Sequence, residues 1–81
     1  MHKWDVLEDM VVFTAVVEDT ISDKKYRKKI CKMFNITESQ LMARANNYMH
    51  ILLGKTSFWH TSKQERMVAD VMKKHKALMR I

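Results

Sequence analysis

The 81-residue sequence has no proline, one glycine (Gly54) and one cysteine (Cys31). Tight turns draw on glycine and proline, so a multi-stranded sheet would be hard to build here, whereas helix interiors need neither residue. A lone cysteine excludes an internal disulfide. Cys31 with His2, His50, His60 and His75 shows no zinc-ligand spacing, so neither a metal nor another cofactor is expected. No apolar run approaches the roughly 20 residues of a membrane helix, and the start Met1-His2-Lys3-Trp4-Asp5 lacks a basic-then-apolar signal pattern. A cytoplasmic, nucleoid-associated protein with no membrane partner is the expectation. A Gly-rich phosphate loop and a Ser-His-Asp set are also missing, which argues against an enzyme and against a small-molecule substrate.

What is present suits one small domain over residues 1–81, with 47% hydrophobic and 30% charged residues. The fold class expected is all-α, a compact four-helix domain with helices over about 4–18, 23–34, 38–53 and 63–80 that contains a helix-turn-helix. The net charge of +6 is unevenly spread. Residues 1–23 sum to −5, residues 24–55 to +7 and residues 56–81 to +4, with the basic part beginning abruptly at Lys24. Such asymmetry fits a chain with one side turned to a polyanion.

On a helical wheel, Trp4, Val6, Leu7, Met10, Val11, Phe13, Ala15 and Val17 form one apolar arc. Asp5, Glu8 and Asp9 fall on the opposite, outer side together with Val12 and Val16. A second helix capped by Ser22 carries Tyr26, Ile30, Met33 and Phe34 on one stripe and is otherwise basic: Lys24, Lys25, Arg27, Lys28, Lys29 and Lys32. Thr37 and Gln40 form a capping box flanked by the staple pair Ile36 and Leu41, which starts the third helix at Thr37. Only Asn35 and Ile36 separate it from the second helix, as in a helix-turn-helix. This third helix buries Leu41, Ala45, Tyr48 and Leu52, ends before Gly54, and turns Ser39, Gln40, Ala43, Asn46, Asn47 and His50 outward with Arg44 at the border. Phe58 and Trp59 are expected to wrap a corner of the core. Ser62 and Glu65 form a further capping box for a fourth helix, whose buried stripe is expected to be Met67, Val68, Val71, Met72, Leu78 and Met79, with His75 on the same side.

The stretch Ser39-Gln40-Leu41-Met42-Ala43-Arg44-Ala45-Asn46-Asn47-Tyr48, followed by Ile51-Leu52, Gly54 and Ser62-Lys63, resembles a small helical domain that precedes HNH nuclease domains in bacterial restriction-like proteins. Ser39, Leu41, Arg44, Asn47 and Tyr48 occupy that family's motif positions, and Trp4 with Glu8-Asp9 resembles its first helix. The resemblance implies a DNA-binding module. It does not bring catalysis, because the paired histidines, asparagine and metal site of the nuclease half have no counterpart in the sequence.

The functional expectation is therefore sequence-selective binding of double-stranded DNA. The helix over 37–53 lies in the major groove, with Gln40, Ala43, Arg44, Asn46, Asn47 and His50 facing bases. Lys24, Lys25, Arg27, Lys28, Lys29, Thr37 and Ser39 hold phosphates. A homodimer through helix 4–18, using either its apolar arc or the face with Val12 and Val16, would double the site. Two other roles remain open: a small basic interaction or inhibitor protein of a phage or mobile element acting on a host enzyme, and the DNA-reading fragment of a larger nuclease or replication protein.

Overall fold

Each helix begins at a side chain that can satisfy its open amides. The computed structural model describes residues 2–54 and 61–79, with side chains to His75. Helix α1 (Val6–Val17) starts at Asp5, whose carboxylate accepts from the Glu8 amide at 2.8 Å while the Glu8 carboxylate accepts from the Asp5 amide at 3.1 Å. A 3-10 turn, Thr20–Ser22, follows Asp19 in the left-handed region at φ 61. Helix α2 (Lys24–Phe34) is capped by Asp23, not Ser22: Asp23 accepts from the Lys25 amide at 3.0 Å, whereas the Ser22 hydroxyl donates to Asp19. Asn35, left-handed at φ 56, closes α2.

Helix α3 (Glu38–Leu52) starts with the Thr37/Gln40 capping box. Ile36 and Leu41, the staple pair, are both buried. The chain leaves α3 through Gly54 at φ +70, a conformation that disfavours side chains. Helix α4 (Lys63–Met79) starts with the reciprocal Ser62/Glu65 bonds at 2.8 and 3.2 Å. Among the described residues the architecture is all-α, with four α-helices. α1 packs on both α3 and α4, and α2 packs on α3 and the 3-10 turn. The core joins Val12, Phe13, Ala15, Ile21, Ile30, Ile36, Leu41, Ala45, Tyr48, Val68 and Ala69, with the rings of Phe13 and Tyr48 edge to face at 5.5 Å.

Two helices are rotated from the sequence expectation. In α1 the buried residues are Asp9, Val12, Phe13 and Ala15, while Leu7 is 72% exposed and Val6 is exposed. The face bearing Asp9, Val12 and Val16 thus looks inward, nearly opposite to the arc chosen by hydropathy. In α4 the inward stripe is Glu65, Val68, Ala69 and the half-buried Met72, while Met67, Val71 and His75 are exposed. Leu52, expected inside, is exposed at the end of α3. The cause in α1 and α4 is the same: an acid becomes a core residue once a cation inside the fold meets it, and a wheel of hydropathies carries no such pairing. The expectations for Phe58 and Trp59 fall outside the described residues, and those for Leu78 and Met79 outside the described side chains.

Candidate nucleic-acid interface

α2 has one apolar side, so its lysines are left outside. Lys24, Lys25, Lys28, Lys29 and also Lys32 are all exposed, and among the described residues none of them pairs with a carboxylate. The first turn of α2 contains no acid beyond its cap, so Lys24 and Lys25 stand where the helix dipole disfavours cations and favours anions. Arg27 differs from its neighbours. It is half-buried, its Nη1 donates to the carbonyls of Ile21 and Ser22 at 3.0 and 2.9 Å, and its Nε lies 3.5 Å from Glu38. Arg27, expected at a phosphate, acts within the fold as a pin that holds the 3-10 turn and links α2 to the start of α3. Beside it, burial and then the Glu38 charge push the Cys31 thiol up.

The polar residues of α3 divide into two groups. Ser39, Asn46 and His50 are exposed on its outer side, and the small Ala43, also exposed, stands at the border of the two groups and lines the cleft. Gln40, Arg44 and Asn47 are half-buried on the flank toward α1 and α4. Glu38, which meets Arg27 of α2, lies on the other flank. Thr37 is exposed, and its hydroxyl accepts from the Gln40 amide as the cap.

Arg44, expected at a base edge, is paired inside the fold. Its Nε and Nη2 bind the two oxygens of Asp9 at 2.7 Å each, and its Nη1 lies 3.3 Å from Glu65. The Asp9 and Glu65 side chains are 0% and 1% exposed, and that of Arg44 is 14% exposed. Burial opposes the Arg44 charge, but hydrogen bonding to Asp9 and the charges of Asp9 and Glu65 outweigh it and hold the guanidinium above its usual value. Three of the five guanidinium N–H donors face these carboxylates. Arg44 therefore organises the fold beneath the α3 surface. Its carbon lies 5.3 Å from the centre of the Trp4 ring, and the Trp4 carbonyl accepts from Gln64, which also donates to Asp9 at 2.6 Å. The Tyr48 hydroxyl and Glu65 Oε2 are buried, and among the described residues neither meets a partner within hydrogen-bond geometry. Burial first, then the Asp9 charge, pushes the Tyr48 phenol far up.

Sequence reasoning missed Asp9, Gln64 and Glu65 as members of this cluster. A signal was present: Asp9 stands in phase with Val12, Phe13 and Val16 at spacings of three, four and seven, an acid within an apolar stripe. Trp4, Asp9, Arg44, Asn47, Tyr48 and Ser62 gather around this one point. Above the ion pairs a cleft of about 480 Å³ opens between the N-terminal segment, α3 and the start of α4. Comparison with protein-family models, with curated proteins and with solved structures finds no match for the chain.

Proposed function

We propose that the protein binds double-stranded DNA, with α2 along the phosphate backbone and the outer side of α3 directed to the major groove. The carrying observation is the row Lys24, Lys25, Lys28, Lys29 and Lys32, exposed on one helix and without internal counter-charges among the described residues. Close like-charge pairs on a helix cost a few tenths of a kcal/mol each, and the fold gains nothing from them. A phosphate backbone relieves that repulsion and releases counterions. Thr37 and Ser39, exposed at the start of α3, supply further phosphate contacts, while Ala43, Asn46 and His50 meet base edges. On this reading the protein works in the cytoplasm on the nucleoid, as a module without chemistry of its own.

A homodimer would double the contacts of so small a reader. The face with Val12 and Val16 is not available for it, because Val12 is fully buried. The other side of α1 is: Leu7, Met10, Val11 and Thr14 form a groove of about 310 Å³ with Tyr26 and Met72. Glu18 extends the α1 side of this groove and Lys73 adjoins Met72, both exposed, so a second copy related by a two-fold axis can set acid against base across it.

Selection of bound sequences from a random duplex pool tests the reading. Enrichment of a short motif, altered by Asn46→Ala and His50→Ala, is expected. A pool that stays unenriched, with binding indifferent to both substitutions, rejects sequence reading by α3 and leaves an acidic protein surface as the partner of the lysine row.

A further inference from the structure

We propose that the cleft between the N-terminal segment, α3 and α4 receives one unstacked nucleobase. The proposal deepens the DNA-binding reading and rests on it for the source of the base.

The volume of about 480 Å³ lies in the usual range for small-molecule sites and accommodates a purine with its sugar. One wall is the Trp4 indole, with the Arg44 guanidinium carbon 5.3 Å from its ring centre and the His2 ring 4.9 Å away at 85°. An aromatic ring held in this way is a stacking surface for any base. The polar groups around it are carboxamides in definite states. Gln40 already accepts through Oε1 from the Thr37 amide, which leaves its NH2 group to donate. Gln64 already donates through Nε2 to the Trp4 carbonyl and to Asp9, which leaves its Oε1 to accept. Asn47 has no hydrogen-bond partner among the described residues, so it offers both a donor and an acceptor. Ala43, small and exposed, leaves the space between them open.

The charge balance of the lining selects the class of ligand. Arg44 is matched by Asp9 and Glu65, and the His2 ring is tied to Glu8 at 3.0 Å, so among the described residues the cleft offers an anion no unopposed cation. A neutral planar ring with alternating donors and acceptors fits it better than a phosphate does, and phosphates find the α2 lysines instead. The edge of a base taken out of the helix is read by hydrogen bonds while its face stacks on an aromatic side chain.

The test uses deoxynucleosides, which carry no phosphate and do not engage the lysine row. The 15N-labelled 81-residue chain is titrated with each of the four in turn and followed by NMR. The side-chain amides of Asn47, Gln40 and Gln64 and the Trp4 indole N–H are expected to shift together, with a dissociation constant on the order of 1 mM for the preferred nucleoside. Ala43→Leu fills the cleft from an exposed helical position, so it weakens this binding by about tenfold or more while the spectrum stays folded. Absence of shifts at these groups with all four nucleosides up to about 10 mM overturns the proposal, as do shifts that survive Ala43→Leu unchanged. Failure here leaves duplex binding by α2 standing. Failure of duplex binding leaves the nucleoside result readable.

Discussion

Arg44→Ala removes the one cation from a cluster that holds two buried carboxylates. The protein has 81 residues, so at roughly 0.05 to 0.15 kcal/mol per residue its total stability is about 4 to 12 kcal/mol. Breaking a buried pair by deleting one partner costs about 3 to 5 kcal/mol, because the remaining charge is left without solvent or partner. Both Asp9 and Glu65 are essentially unexposed, so the upper part of that range applies. A domain of this size loses roughly 4 to 8 °C of melting temperature per kcal/mol, which for about 4 to 5 kcal/mol puts the fall at roughly 16 to 40 °C. Urea denaturation of Arg44→Ala beside Lys29→Ala measures it, since Lys29 is an exposed cation with no partner among the described residues and its loss should change stability by less than about 0.5 kcal/mol. Neutralising the acids together with the arginine, as Asp9→Asn/Arg44→Ala/Glu65→Gln, should recover part of the loss, because no unpaired charge then remains inside. If Arg44→Ala proves as mild as Lys29→Ala and instead abolishes base preference, the internal role assigned to Arg44 is wrong and base contact is right.

The other expectations are more local. Tyr48 should make stability fall above about pH 10: the unfolded phenol ionises at its ordinary value while the folded one stays neutral, so rising pH favours the unfolded state, and Tyr48→Phe should lose less melting temperature between about pH 9 and 11. A wild-type curve that parallels Tyr48→Phe through that window would remove the effect. Thr37→Ala should cost about 1 kcal/mol as a lost cap, and Thr37→Asp should retain stability but weaken DNA binding, as thermal melts and duplex titrations report. A Thr37→Asp protein that binds DNA like wild type would free Thr37 of its phosphate role. Leu7→Lys should convert a sedimenting dimer to a monomer; a wild-type monomer at high concentration would exclude the groove on α1 as a self-association face.

How much of this was readable in the residues depends on distance along the chain. The boxes at Thr37/Gln40 and Ser62/Glu65, the staple Ile36/Leu41 and the stop at Gly54 depend on neighbours within five residues, and each was legible. The orientations of α1 and α4 were not. They depend on Arg44 reaching Asp9 across 35 residues and Gln64 reaching Asp9 across 55, and such pairings leave no mark on a local hydropathy pattern. The same blindness affected the site. Exposure of the α2 lysines follows from the single apolar stripe of that helix and was legible. The division of the α3 face into an outer group and a cleft-lining group requires knowing that α1 and α4 stand on one flank and α2 on the other. Arg27 and Arg44 looked like surface cations because arginine usually is one, and only the carbonyls and carboxylates around them show otherwise.

The most direct test of the lysine row as a phosphate-binding face is the salt dependence of duplex affinity. Five contacts give a slope of log affinity against log salt of roughly −4 to −5, and each of Lys24→Ala, Lys28→Ala and Lys29→Ala should reduce its steepness by about 0.9. A flat plot, or a slope unmoved by these three substitutions, would contradict it.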